Sequence, residues 1–591
     1  MLKLNLDFEK AYDRVSHQYM FHVLRKMGFP EGFLARVGLL YTEVRSKILV
    51  NGRLSKTVAV NCGVRQGCPL SPLLFVCCVE PLAQILRRDT WISGVKIPGS
   101  GGREARCILY MDDVTVLASD AVSVARVLDL TEFFGQASGA RLNKDKTVLK
   151  VYGEWTQREL QSLPIKTDDK DMKVLGVRFD KEGLGGKNWE DVLMKVKKKL
   201  QFWSFRYLTY EGKVLILKSV FLPLLLFFGV VFVPSRSVLA RLDFLVFRVF
   251  WGGGWERLQR VWVKKERGKG GKGVPDFNRI LMCQFVALHV SLCVNSENKA
   301  SCFVRFFIGG FLRRLGILKT NQTQPVAFDM PVFYQPFKKF LAVSGLEGEG
   351  AETLSSYHNM LSFVHGRDDT CAVRGLALGQ AEEVWKAVAH PDLLNRHKDL
   401  AWLAAHKILP VRQVMTARRM MRTAVCPQTG CTHEETVRHL LWDCCTAQAL
   451  WNKLTPLVKL MGFKERLKCH MILYGDGHLL KTEKWRPVWQ VLNCGKDALW
   501  TTRNLRLLQD KDLTPEEVKR VAWAAVKRYM VRDYRRNGLE GAVVCGGTPR
   551  GQWWWDREGQ RGQARTPNMA GQQKRSEGSY LRTCPALYKK A

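Results

Sequence analysis

Two aspartates stand side by side in "ILYMDDVTVLAS" (Ile108 to Ser119), between two runs of apolar and β-branched residues. Aspartate tolerates the backbone angles of tight loops, so at its simplest the pattern is a hairpin turn. A turn alone does not explain why Met111 shares the tip, or why two carboxylates crowd where their charges repel. A third carboxylate shifts the balance, because carboxylates gathered from separate segments are how a protein holds hard, oxygen-seeking divalent cations. Asp7 supplies it. In "LKLNLDF" Leu2, Leu4 and Leu6 alternate with Lys3, Asn5 and Asp7, the pattern of a half-buried strand with Asp7 at its end on the polar face. Laid beside the Asp112–Asp113 hairpin in one antiparallel sheet, that strand brings Asp7, Asp112 and Asp113 around a common point. Such a trio suits two magnesium ions, or manganese in their place, that bridge nucleotide phosphates: one activates a primer 3′ oxygen, the other steadies the leaving pyrophosphate.

A second group lies far along the chain. "CPQTGCTHEETVRHLLWDCC" offers Cys426, Cys431, His439 and Cys444, with His433 and Cys445 as spare donors. A thiolate pair followed by a histidine and a further cysteine can close a tetrahedral structural zinc site. The alternative is a set of buried free thiols on a helix.

The elements that must position the carboxylates follow from local signals. Ser16 to Met27 reads as a helix, with Ser16 as cap, Met20, Leu24 and Met27 on one stripe, and Gly28 and Pro30 ending it. A second helix covers about Phe33 to Thr42. "SKILVNGRLSKTVAV" is a hairpin whose Asn51 and Gly52 supply the two positive-φ positions of a type I′ turn. After the glycine-rich "CGVRQGCPLSP", a helix with Ser71 as cap and Pro72 in its first turn runs to about Arg87, kinked near Pro81. Another helix spans about Val122 to Ser138. From about Trp189 to Phe250 the pattern turns helical and strongly basic, marking a second domain. "KKERGKGGKGVPDF" (Lys264 to Phe277) reads as a glycine-rich basic break, after which the chain is largely helical through Arg535. From Gly546 the sequence loses periodicity, and a disordered basic tail is expected.

Composition sets the class of partner. The 591 residues are 46% hydrophobic, ample for several packed domains. Lys and Arg number 92 against 55 Asp and Glu, a formal net charge of +37, so an anionic polymer is the expected partner, nucleic acid first and an anionic membrane surface second. The longest apolar stretch, Val220 to Val233, is short for a membrane span and carries Pro223 and Gly229; it reads as buried core, and no membrane helix is expected. The amino terminus lacks a secretory signal, and 17 cysteines show no compact disulfide framework. A reducing intracellular setting, nucleus and cytoplasm, is expected rather than secretion.

The motifs taken together carry a resemblance. "LDFEKAYD" (Leu6 to Asp13), "RQGCPLSP" (Arg65 to Pro72), "YMDD" (Tyr110 to Asp113), "SGARLNKDKT" (Ser138 to Thr147) and "KVLGVRF" (Lys173 to Phe179) resemble, in order and spacing, the successive palm motifs of reverse transcriptases. Their wording is similar to that of LINE-type (non-LTR) retrotransposon polymerases, and "GGKGVPDF" resembles that family's stretch after the thumb. The resemblance covers most of residues 1 to about 535.

It implies an α+β fold: a right-hand polymerase palm over residues 1–155, the end of the palm with the primer grip over 156–185, and a helical thumb and connection over 186–330. A mostly helical C-terminal region with a zinc-knuckle-like segment at 426–445 would follow over 331–545, and the tail over 546–591. It also implies roles. Asp7 and Asp112, with Asp113 beside them, would hold the magnesium ions. Tyr12 would be the sugar gate that excludes a ribose hydroxyl, and Phe8, Gln66, Gly67, Tyr110 and Met111 would lie against incoming nucleotide and template. Leu175 and Gly176 would fall in the primer grip, and Lys146 would protonate pyrophosphate. Read alone, Tyr12 is equally a packing tyrosine and Lys146 equally a solvated lysine.

The implied activity is RNA-directed DNA synthesis from dNTPs, primed by the 3′ end of a nicked DNA target and templated by the element's RNA within a ribonucleoprotein. A group II intron maturase-like enzyme shares the palm, although the Cys/His segment and "GGKGVPDF" favour the LINE-type reading. An inactive nucleic-acid-binding remnant is the third. Met1 stands six residues before Asp7, so a palm, thumb and C-terminal region without fingers or endonuclease is expected, with impaired activity.

Overall fold

The computed structural model describes residues 1–165, 167, 172–180, 185–295, 300–318, 330–475 and 485–543. The expected tail at 546–591 lies outside the described residues. The architecture mixes helices with small antiparallel sheets. It divides into two compact units that are not contiguous in sequence: Met1–Asp191 with Phe228–Ser235 and Met282–Met360, and Val192–Phe227 with Arg236–Leu281 and Leu361–Ala591. Segments 186–330 and 331–545 therefore each contribute to both units. Composition cannot register such crossings, because they depend on which faces meet and not on local sequence.

The first unit is organised by a four-stranded antiparallel sheet. The strand Leu2–Leu6 runs centrally, between Val148–Val151 on one side and Asp113–Ala118 on the other, and Cys107–Tyr110 completes the order. Its alternation works as read on one face: Leu2, Leu4 and Leu6 are buried with Val114, Val116, Ala118 and Leu149 under the helices Ser71–Arg88 and Ala121–Ser138. The opposite face differs from the half-buried expectation. Lys3 and Lys150 face each other in register and both are buried. The hairpin Met172–Val174/Val177–Phe179 lies over this face, with the Lys3 ammonium 4.8 Å from the Phe179 ring centroid and the Asn5 amide donating to the Lys173 carbonyl at 2.9 Å. Burial, with Lys150 alongside, lowers the Lys3 pKa to about 8.

The helical signals resolve with small shifts. Ser16 caps His17–Lys26 by accepting from the Tyr19 N–H at 3.3 Å, and Met20, Val23 and Leu24 form its buried stripe, whereas Met27 is exposed at the helix end. Ser71 is not a cap. It is the first residue of Ser71–Arg88, buried with its hydroxyl 3.5 Å from that of Tyr41, and Leu70 holds the cap position without a side-chain bond. Pro81 lies inside a helix that runs on through it. Asn51 (φ 50°) and Gly52 (φ 79°) make the expected two-residue turn. Tyr210–Gly229 forms a continuous helical run of 20 residues, π-wound at Leu217–Phe221. By length and apolarity this run and Phe277–Val294 could each cross a membrane, which corrects the expectation that no segment reaches that length. Each also buries a stripe in the protein interior, Val214, Leu217, Phe221 and Leu225 in the first.

In the second unit the glycine-rich segment is not a break but a packing centre. Gly270 (φ 91°) has room for no side chain, since a Cβ there would lie 2.6 Å from Cys371 and Trp385. Its carbonyl accepts from the Trp402 indole at 2.9 Å and from His406 at 2.7 Å. Buried Lys272 pairs with Asp399 at 2.6 Å and Glu211 at 3.4 Å. Glycine and lysine look like a solvated linker by composition; here glycine permits close approach and two carboxylates neutralise the lysine.

Candidate active site and metal centre

The carboxylates meet at one end of the sheet. Leu6 pairs with Val114 and Tyr110 with Asp113, so the backbone just past Leu6 arrives beside the tip of the Tyr110–Asp113 turn. Met111 occupies the left-handed region (φ 56°), the strained position a two-residue tip demands. The packing of Met111 against a core cluster with Val15, Leu74 and Phe75 explains why a large apolar residue stands there in place of glycine. Burial raises the Asp113 pKa, and the charges of Asp112 and Asp7 raise it further. Three carboxylates thus share one field. Among the described residues none of the three has a lysine or arginine partner, in a chain with 92 such residues. Oxygen donors left without a protein cation are the donor set a hard divalent ion takes.

Asp7 is held by a loop that the motif reading used only for its lysine. The Asp7 N–H donates to the Thr147 hydroxyl at 3.4 Å, the Asn143 N–H donates to the Asp7 carbonyl at 2.8 Å, and Phe8 bridges Leu142. Asn143 also accepts from the Lys146 N–H at 3.2 Å, which closes the turn. Asn143 and Thr147 are therefore positioning residues, signalled in the sequence by an Asn that can cap its own turn. The Lys146 side chain is exposed. Phe8 is half-buried against the sheet core.

Tyr12 stacks on Phe75 with ring centroids 4.4 Å apart and planes 13° from parallel. Its hydroxyl pKa is raised by burial and by the charges of Asp112 and Tyr110, so the ring stands next to the carboxylates. Gln66 is exposed and its amide donates to Asp13 Oδ1 at 3.4 Å; Gly67 (φ 86°) turns the loop. Tyr110 is 61% exposed. Leu175 (φ 49°) and Gly176 (φ 82°) form the tip of the hairpin over the polar face, and a small cleft is lined by Asn5, Tyr110, Asp113, Thr115, Lys173 and Leu175. Of these candidates, Tyr12 lies within the field of Asp112, and Tyr110 and Leu175 line the cleft that Asp113 also lines.

Gly63 is a site-building residue that the reading missed. Its N–H donates to the Val15 carbonyl at 2.8 Å, the Val64 N–H donates to that of Tyr12 at 2.7 Å, and a Cβ at Gly63 (φ 89°) would lie 2.7 Å from the Asp13 carbonyl oxygen. Gly63→Ala is expected to lower stability by about 1–3 kcal/mol, because the residue is held left-handed and pressed on backbone. Urea unfolding followed by circular dichroism checks this; an unchanged midpoint would mean that the loop moves freely away from Tyr12.

The second group closes as four donors. The donor atoms of Cys426, Cys431, His439 and Cys444 all lie within 4.8 Å of one another. The four residues between Cys426 and Cys431 are taken up by a turn in which Gly430 (φ 76°) is left-handed and the Cys431 N–H donates to the Gln428 carbonyl at 3.1 Å. Cys431 Sγ is 3.3 Å from His439 Nε2. His439 opens a π-helical turn ending at Asp443, and Cys444 precedes the helix Cys445–Leu460. A hydrogen bond between Cys426 and Cys444 raises the first thiol and lowers the second to about 5, so a thiolate is already favoured among the sulfurs. Of the spare donors, His433 Nδ1 is 3.9 Å from Cys431 Sγ, and Cys445 is exposed and outside the cluster.

Comparison with known proteins gives these sites a context. Residues 2–179 match the family described as reverse transcriptase (RNA-dependent DNA polymerase), and residues 373–451 match zinc-binding in reverse transcriptase. A Xenopus laevis protein, the transposon TX1 uncharacterized 149 kDa protein, is 28% identical over 260 residues, covering 42% of this chain and 19% of that one. The retrovirus-related Pol polyprotein from type-2 retrotransposable element R2DM of Drosophila melanogaster is 30% identical over 194 residues, 30% of this chain and 18% of its own. A Popillia japonica polyprotein from type-1 retrotransposable element R2 is 28% identical over 180 residues, 29% and 28%. The chain thus spans between 18% and 28% of the length of these relatives. Its amino-terminal residues 2–179 match a reverse transcriptase domain, and the relatives it matches are a transposon protein and Pol polyproteins of retrotransposable elements.

Proposed function

We propose, from a chain that carries a reverse transcriptase domain, that it is the RNA-directed DNA polymerase of a LINE-type element and extends a DNA primer along an RNA template. The observation that carries the reading is the shared field of Asp7, Asp112 and Asp113 at one sheet end. Asp7 and Asp112, with Asp113 beside them, would hold two magnesium ions, which when bound lower the charge barrier to attack by the primer 3′ oxygen on the α-phosphate and to departure of pyrophosphate. In that step the new O3′–P bond forms as the bond to the β-phosphate's bridging oxygen breaks.

The chain's own groups position the reactants. Asn143 and Thr147 fix Asp7 through its backbone. Tyr12, backed by Phe75, offers a flat wall where the sugar of an incoming dNTP would lie, and the cleft beside Tyr110, Lys173 and Leu175 would receive the primer end. The palm is then the first unit's sheet with its covering helices. Lys146, exposed on the loop that holds Asp7, would protonate the leaving pyrophosphate. Cys426, Cys431, His439 and Cys444 would hold one structural zinc. Priming from a nicked target and packaging with the element's RNA complete the reading.

Sugar selection tests it. Tyr12→Val is expected to raise the use of ribonucleotides relative to dNTPs by about tenfold or more in primer extension on RNA, because the block is steric and the smaller side chain opens the 2′ side. A variant that rejects ribonucleotides as strongly as the parent would make Tyr12 a packing residue on Phe75 and nothing more.

A further inference from the structure

The second unit carries a feature that the polymerase reading does not use. The helix Gly186–Ser204 buries Val192, Val196 and Leu200 along one stripe, and its opposite side exposes Lys195, Lys197, Lys198 and Lys199. Just beyond, Phe202, Phe205 and Tyr207 are 59%, 82% and 84% exposed. Phe202, the first of the three, is anchored. Phe202 meets Trp203 edge to face at 5.9 Å, the Arg206 guanidinium sits 5.5 Å from the Phe202 ring, and the Arg206 N–H donates to the Trp203 carbonyl at 3.1 Å. From Val192 to Tyr210 the sequence contains five lysines and arginines and no aspartate or glutamate.

Two rings more than four-fifths exposed and two residues apart, beside a run of cations, offer flat apolar faces that a partner can cover. An apolar partner would account for the rings but not for a neighbouring stretch of cations without a carboxylate. A duplex would account for the cations but not for the rings, since paired bases keep their faces stacked inside and offer only edges. Unpaired bases on a phosphate backbone satisfy both: phosphates along the lysines, base faces on the aromatics. We infer that Phe205 and Tyr207, with the lysine row Lys195–Lys199, form a stacking platform for single-stranded nucleic acid, outside the carboxylate site. RNA and DNA share this chemistry, so the test carries both.

The full chain is titrated, without nucleotides, against a labelled 20-nucleotide uridine-rich RNA, its DNA counterpart, a blunt 20-base-pair duplex and, separately, phosphatidylserine vesicles. The double variant Phe205→Ala/Tyr207→Ala is expected to weaken single-strand binding at least about tenfold, as loss of stacking on one or two bases implies, while duplex binding and the salt dependence stay as in the parent. Phe205→Trp/Tyr207→Phe keeps the ring faces and should restore affinity. Replacing Lys197, Lys198 and Lys199 by glutamine should reduce the slope of log affinity against log salt by roughly 2, at about 0.7 per phosphate contact on a single strand. Equal affinities of RNA and DNA would fit a platform that reads faces, and a preference for one would name the strand it serves. Parental single-strand binding by the double alanine variant would overturn the inference, as would an equal loss on duplex. A loss confined to phosphatidylserine vesicles would overturn it too and assign the patch to a membrane surface. Since no catalysis is read, failure of the polymerase reading leaves this outcome interpretable.

Discussion

Alanine at Asp112 is expected to cut primer extension on an RNA template by at least about a thousandfold, while binding of primer–template changes less than about twofold. Asp112, Asp113 and Asp7 share one field at the sheet end, where burial first and then the charges of Asp112 and Asp7 raise the Asp113 pKa, and no protein cation among the described residues offsets that field. Removing one carboxylate from a shared divalent site withdraws transition-state charge stabilisation worth several kcal/mol, at 1.36 kcal/mol per factor of ten. Binding rests instead on the many basic side chains of a chain with net charge +37. Asp7→Ala should match it, because Asn143 and Thr147 hold the Asp7 backbone and would leave a neighbour's side chain no route to replace it. Manganese bound per chain, counted by electron paramagnetic resonance, gives a readout independent of turnover and should fall in both variants. Extension within tenfold of the parent, or unchanged manganese binding, would remove the carboxylates from the metal site.

Chelation should be nearly as severe for the second unit. One zinc per chain is expected by elemental analysis, lost in Cys431→Ser and on treatment with phenanthroline. Cys431 is the ligand chosen because it is only partly buried and its change to serine leaves little cavity. The cost should not stay local. Glu435, fully buried in the same loop, accepts two hydrogen bonds from Arg503 at 2.9 Å each and one from the Arg412 N–H at 2.6 Å, tying the Cys/His loop to the buried helix Trp485–Gln509. If the loop opens, a buried ion pair loses its geometry. A loss of several kcal/mol is expected, which at about 2–4 °C per kcal/mol lowers the thermal midpoint by roughly 10 °C. A protein that holds no zinc and melts identically with chelator would reduce the cluster to packed thiols.

Much of the carboxylate site was legible because its signals are local. The period-2 alternation of Leu2, Leu4 and Leu6 placed Asp7 at a strand end, and two apolar runs around Met111 and Asp112 made a hairpin. The four zinc-type donors were legible for the same reason, their types and order being enough to single out the group that the fold brings within 4.8 Å. Where the reading slipped, a tertiary neighbour had outweighed a local preference. Ser71 looks like a cap and is buried beside Tyr41; Met27 belongs to the right stripe by spacing and falls past the helix end; "GKGGKG" has a linker's composition and is sealed between Trp385, Trp402 and Asp399.

The sequence by itself determined which residues could do chemistry and the short elements that carry them, since residue type, period and turn preference are properties of a few neighbouring positions. Only the tertiary structure decided that Gly63 must be glycine, that Asn143 and Thr147 hold Asp7, that Phe75 backs Tyr12, and that Lys3 and Lys150 lie buried face to face. Each of these is a contact between segments tens to more than a hundred residues apart. Such contacts are set by strand register and by which helix face meets which sheet, and no local preference encodes either.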